Sequence, residues 1–268
     1  MNEVYSSIGF FPSVDYQIRN LAYNNTKPNF QNRQPVDTLI PHSFSTAGTL
    51  TSALLRSLDG TQSIAITAQY SSSAKTGYNI YYNDGTSAIV GMTFKEYYVQ
   101  YTISGQTYYS DVVCFGAGTD DLLQLDWFHT PDREQFIYSY EFLAPETPNG
   151  SYDYTNFFNK IYFNDAVALG KPSYPYEENV ETRISTKFPI TQTSYKLFKF
   201  KAVLPEYLID VLRLVRLHSD ISVTYLGTSY NAKEFLLSEP NWIDDGVLAE
   251  VDFEFRSGSV TVTHARAY

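Results

Sequence analysis

The residues best equipped for chemistry gather at Asp120, Asp121, Asp126, Asp132 and Glu134, beside Trp127 and His129. Glycoside hydrolysis needs two carboxyl groups about 5–10 Å apart next to an aromatic that can stack on a sugar. The same oxygens could hold calcium, which takes about six to eight of them. A solvated loop or helix start is the simplest reading of such a cluster, because nearness in sequence does not fix nearness in space. Asp244-Asp245-Gly246 reads as a turn between Trp242 and the segment that begins at Val247.

Other chemistry is scarce. The chain has no Walker loop, dinucleotide fingerprint, Gly-x-Ser-x-Gly elbow or His-Glu-x-x-His. His42, His129, His218 and His264 are scattered without metal-ligand spacing, and His218 is explained by its place near a helix end. Cys114, the one cysteine, lies in Val112-Val113-Cys114-Phe115 and reads as a buried, inert thiol. A lone cysteine rules out an internal disulfide framework and a cysteine-based metal cluster. No cofactor and no metal is expected.

Composition narrows the classes further. Net charge is −10 and evenly spread: 7 basic residues face 12 acidic ones up to Glu134, and 12 face 17 beyond it. With no basic tail or helix, a nucleic-acid-binding role through phosphate attraction is not expected. No apolar run approaches the roughly 20 residues that span a bilayer, so no membrane partner is expected. Met1–Phe11 has neither a basic start nor a long apolar stretch, so no secretory signal is expected, and the sequons at Asn24 and Asn149 carry little weight. The chain holds 24 Tyr and 18 Phe against 2 Met. That bias favours pleated sheets, and tyrosine also serves well at protein interfaces.

The elements that would position these residues are mostly strands. Ser63–Tyr70, Gly77–Tyr82, Thr86–Met92, Tyr97–Ile103 and Tyr108–Cys114 alternate in polarity, with turn signals at Asp84-Gly85 and Ser104-Gly105. Gln135–Leu143 is a further aromatic strand, and Pro145–Gly150 is the best junction. Asn156–Val167 is aromatic, while Lys171–Glu181 reads as an acidic, proline-interrupted loop. Lys196–Val203 runs into the one convincing helix, near 205–218, with Pro205 in its first turn. Strands follow at Ser222–Leu226, Ser229–Leu237, Val247–Phe255 and Ser259–Thr263, with turns at Leu226-Gly227-Thr228 and Ser257-Gly258. Asn79–Asp84 and Lys160–Asp165 look alike, but two tyrosine-rich strands can match by composition alone.

The expected fold is therefore mainly β: one or two antiparallel β-sandwich-like units with a single packed α-helix near 205–218. Residues 1–50 form an irregular aromatic arm, 51–146 an antiparallel β unit, and 147–268 a β unit with the helix, which shares a core with its neighbour or holds its own. An arm bearing Phe10, Phe11, Tyr16, Tyr23 and Phe30 must pack on its own domain or on another subunit, and these five are the candidate subunit contacts.

The run Phe198-Lys199-Phe200-Lys201-Ala202-Val203-Leu204-Pro205-Glu206-Tyr207-Leu208-Ile209-Asp210-Val211-Leu212-Arg213-Leu214 resembles virion proteins of tailed phages that infect Bacteroidetes, crAss-like phages included. Phe235-Leu236-Leu237-Ser238-Glu239-Pro240-Asn241-Trp242 and Gly246-Val247-Leu248-Ala249-Glu250-Val251 extend the resemblance, which covers about 196–262. It implies a non-enzymatic structural protein of a neck or tail, located in the virion and, during assembly, in the host cytoplasm. Its partners would be copies of itself in a ring and other neck, tail or portal-proximal proteins, with DNA passing passively through the lumen. A ring needs two different complementary patches on each subunit, which an arm and sheet edges can supply. A carbohydrate-binding β-sandwich of an adhesin or receptor-binding protein is the alternative, and a glycoside hydrolase using the Asp120–Glu134 region is a third class.

Overall fold

A computed structural model describes residues 10–11, 32–35, 39–40, 42–67, 69–71, 79–83, 96–116, 121–128, 159–163, 167–183, 186–218, 220–243 and 248–264. Within them the chain is mainly β, with one short α-helix, as the alternating aromatic pattern requires.

The first core lies between two sheets. One contains β4 (Leu50–Ser57), β5 (Ser63–Ala65), β8 (Glu96–Ile103), β9 (Gln106–Phe115) and β1 (Phe10–Phe11), in the order β1-β9-β8-β4-β5. A short β2 (Asn32–Gln34) runs parallel to β9. The other sheet has the order β3 (His42–Thr46), β7 (Asn79–Asn83), β6 (Gln69–Ser71). Phe44, Tyr81, Tyr97, Val99, Tyr101 and Val113 meet in the buried space. In β8 every second residue is buried, so its sequence alternation is an alternation in space. Ser104 (φ 47°) and Gly105 (φ 85°) make the tight β8–β9 turn, and two successive positive φ values suit the right-handed twist of a hairpin.

The second core lies between a sheet ordered β11 (Asn159–Tyr162), β10 (Gln124–Phe128), β14 (Asp220–Tyr225), β15 (Thr228–Asn231) and a sheet built on two long strands. The long strands are β13 (Thr186–Pro205) and β18 (Leu248–Thr263). Flanking them are β12 (Tyr176–Arg183), β16 (Lys233–Leu237) and β17 (Asn241–Ile243), in the order β12-β13-β18-β16 with β17 also on β18. Register places Phe198 opposite Phe255 and Phe200 opposite Phe253. Both pairs stack, at centroid distances of 5.1 and 4.6 Å, and Phe163 meets Phe200 and Phe253 edge-on. The opposite face is a charge ladder, with Lys199 on Glu254 (2.7 Å) and Lys201 on Glu250 (2.8 Å). One strand pair thus presents aromatics inward and paired charges outward.

The helix α1 (Glu206–Leu212) is shorter than the expected 205–218. Pro205 stands one place before it, in extended backbone, and a 3-10 turn at Val215–Leu217 follows. Leu208, Ile209, Val211, Leu212 and Val215 close the second core.

Three further expectations give way. Tyr176–Arg183 is a strand rather than a loop: Pro172 and Pro175 lie before it, and its glutamates sit where an edge strand meets water. Ser229–Leu237 is two strands, broken at the buried Ala232, so that β15 pairs with β14 while β16 joins β18. Ser257-Gly258 is no turn, because β18 runs on to Thr263. Gly258 (φ 60°) makes a bulge, where the register against β13 steps from Lys196–Ser257 to Ser194–Val260. Asp84-Gly85, Thr86–Met92 and Gln135–Leu143 lie outside the described residues.

Sheet membership cuts across the junction expected at 146/147. β10 pairs with β11 and β14, so residues 124–128 belong to the second core. The described parts of 1–50 lie in the first core. β1, β2 and β3 are strands in the first core's sheets, and Leu39, Ile40, His42 and Phe44 are buried.

Candidate functional site

Of the carboxylate cluster and its neighbours, Asp121, Asp126 and Trp127 lie among the described residues. Trp127 is buried in the second core, so it offers no face to a sugar. Asp126, its neighbour in β10, points to the other side of the strand, where Lys160 on β11 lies 3.3 Å away and Gln124 donates a hydrogen bond. Burial pushes the Asp126 carboxyl above the ordinary carboxylate range, and Lys160 opposes that shift. Asp121 is exposed, and Asp120, His129, Asp132 and Glu134 lie outside the described residues. Among the described residues no three His, Cys, Asp or Glu side chains converge as metal ligands would.

His218, Cys114 and His42 lie among the described residues. His218 is buried with Nδ1 3.0 Å from the Leu214 carbonyl, which fits its expected place near a helix end. Cys114 is half-buried, and burial, helped by the Glu96 carboxylate, pushes its thiol up to about 11. His42 is fully buried between the Ile40 carbonyl and the Tyr101 hydroxyl.

Of the candidate subunit contacts, Phe10 is half-buried and packs on His42, Phe44 and Tyr101 of its own chain. Phe11 pairs with Tyr109 along the β1–β9 ladder. Tyr16, Tyr23 and Phe30 lie outside the described residues.

Sequence reasoning missed one surface feature of the described residues. β12, β13 and β18 continue past the second core as a three-stranded ribbon. Tyr176 pairs with Ser194 and Glu178 with Gln192 on one side of β13, while Val260 and Val262 pair with the same two residues on the other. None of the described side chains from Tyr176 to Ser194, or from Arg256 to His264, is buried. The root is fixed by Arg256. It pairs with Glu177 (3.0 Å) and Glu234 (2.8 Å), and its guanidinium lies 4.0 Å from the centre of the Tyr195 ring.

Antiparallel partners share a face, so the ribbon's two faces follow from its register. One carries Tyr176, Val180, Val260 and Val262. Between them runs a polar row in which Gln192 donates to Glu178 (2.8 Å) and meets His264 (3.0 Å). The other face is rich in threonine, with the Thr193 and Thr261 hydroxyls 3.0 Å apart. Tyr176 is 55% exposed, Val260 68% and Val262 51%, apolar side chains flanking that polar row on an element with no core beneath it. A detectable signal was present: Val260-Thr261-Val262-Thr263 is β-prone and uncharged, opposite an equally threonine-rich Thr191–Thr193.

No protein-family model, curated protein or solved structure matches the chain.

Proposed function

We infer that this chain is a non-enzymatic structural subunit of a phage virion, placed in the neck or tail and assembled into a ring through sheet edges. The single observation that carries a contact-making role is the ribbon. Exposed apolar side chains on strands without a core are costly to leave in water, and strand edges are ready templates for pairing. The placement in a neck or tail rests on the resemblance over 196–262, a stretch that includes the second core's Phe198, Phe200, Phe253 and Phe255. The net charge of −10, with no basic tail or helix, fits passive passage of DNA, since attraction to phosphate needs clustered Lys and Arg.

The test is the composition of purified phage particles. Quantitative mass spectrometry should find the chain at a fixed ratio to the portal protein, and labelling should put it at the head–tail junction or along the tail. Absence from purified particles would overturn this reading. Sugar binding on a glycan array, lost on Tyr176→Ala, would favour the carbohydrate-binding alternative instead.

A further inference from the structure

Both long edges of the ribbon lack a strand partner among the described residues. β12 pairs only with β13, and β18 beyond Arg256 pairs only with β13, because β16 and β17 stop against its core-proximal half. The edges differ in chemistry. β12 carries Glu177, Glu178 and Glu181, whereas β18 from Ser257 to His264 has no acidic residue. Past the bulge at Gly258, Val260–Thr263 also lacks proline and charged side chains, two of the devices that normally protect an edge strand.

We propose that these two edges pair with each other across neighbouring copies of this chain, β12 of one subunit docking on Ser257–Thr263 of the next. The proposal deepens the structural-subunit reading and rests on it. Two β12 edges brought together would set glutamates against glutamates, which is unfavourable between directly opposed strands. Two β18 edges could pair, but every β12 would stay open. The unlike pairing satisfies both edges, and it is head-to-tail, the type of contact that closes into a ring. Its direction follows as well. β12 and β18 are each antiparallel to β13, so they run the same way. If all ribbons point along one rotation axis, the strands at each junction are therefore parallel. Apolar side chains would then meet at each junction, with Val260 and Val262 of one copy beside Tyr176 and Val180 of the next.

The geometry provides a test that does not depend on a variant folding poorly. Glu178 and Val262 both face Gln192 from opposite sides, so within one chain they are two strand spacings apart, about 10 Å. A disulfide needs Cα atoms closer than about 7 Å, so no cross-link between these positions can form inside one subunit. Full-length chains carrying Glu178→Cys and chains carrying either Val260→Cys or Val262→Cys, all with Cys114→Ala, would be mixed and oxidised gently. Unlike pairs should dominate the cross-linked products. Like-with-like products alone, or a monomer at every concentration, would overturn the proposal.

A second arm uses the backbone. The His264 N–H bonds to the Ile190 carbonyl, so the N–H groups of Thr261 and Thr263 point away from β13. Thr263→Pro removes one outward donor and no ladder bond, and should abolish the oligomer seen by light scattering while the folded-state circular dichroism persists. An oligomer unaffected by Thr263→Pro and lacking unlike cross-links would also sink edge pairing. If the chain is present in purified particles but no unlike pair forms, the edge pairing falls and the structural reading stands. If it is absent from particles, the structural reading itself falls.

Discussion

His42 shows how a titratable side chain can serve packing alone. A carbonyl only accepts hydrogen bonds, so the contact with Ile40 puts the ring proton on Nδ1, and Nε2 then accepts from the Tyr101 hydroxyl. Phe10 covers the ring at 5.6 Å. Burial lowers the His42 pKa to about 4, since a charged imidazolium would lose its hydration there. The unfolded chain binds this proton near the ordinary 6.5 and the folded chain does not, so the His42 contribution is intact above that pH. It is lost as pH falls from about 6.5 to 4, to the extent of roughly 3 kcal/mol. Urea midpoints measured across this range should drop on acidification, and His42→Phe should flatten that part of the slope. An unchanged slope would mean that the ring is protonated in the folded state. Cys114 makes a complementary case. With its thiol near 11 it holds roughly a hundredfold less thiolate than an ordinary cysteine. Alkylation of the folded chain at neutral pH should be slower than that of the denatured chain by at least that factor.

At the scale of elements, Gly258 is the most informative residue. Its φ of 60° is a conformation that costs an L-residue about 1–2 kcal/mol, and no atom crowds the place a Cβ would take. Gly258→Ala should therefore lower stability by about 1 kcal/mol through backbone strain alone, and Gly258→Asn by less. Thermal melts of the two variants check the order. Ser104-Gly105, Leu226-Gly227 and Ser257-Gly258 all announce positive φ in the sequence, and all adopt it at the glycine. Only the first two are hairpin turns. Local chemistry specifies the dihedral, but whether the chain reverses there depends on what pairs with it, and the long partner β13 holds β18 straight. The same limit explains β12, whose glutamates and neighbouring prolines look like a loop until β13 supplies a ladder. It also explains β10, whose partner β14 lies far along the chain. Alternation made β8, β9 and β18 legible because burial on one face imprints a period of two. The ribbon was not legible as a surface, since its strands resemble half-buried ones and nothing local says that the core stops at Tyr195.

On the scale of the whole molecule, the two cores are linked. Ile40 from the first region packs with Leu122 and Tyr162 at the margin of the second. A buried carboxylate makes the sharper connection. Asp111 on β9 is 1% exposed; its Oδ1 accepts the Val112 N–H at 2.8 Å, and its Oδ2 accepts the Tyr207 hydroxyl, from α1, at 3.1 Å. A buried carboxyl group that loses a hydrogen-bond donor keeps its desolvation cost. Tyr207→Phe removes the hydroxyl and leaves the ring, so it should destabilise the chain by about 2 kcal/mol with little change in packing. The distribution of that loss is the decisive observation. If the cores fold as one cooperative unit, amide exchange should speed up equally in β8–β9 and in the core-proximal halves of β13 and β18, with a single melting transition throughout. Faster exchange confined to α1 and β9 would mean that each core is stable alone and that the contact merely orients them. The difference decides whether strain applied at the ribbon can reach β9, because it does so only through a coupled interior.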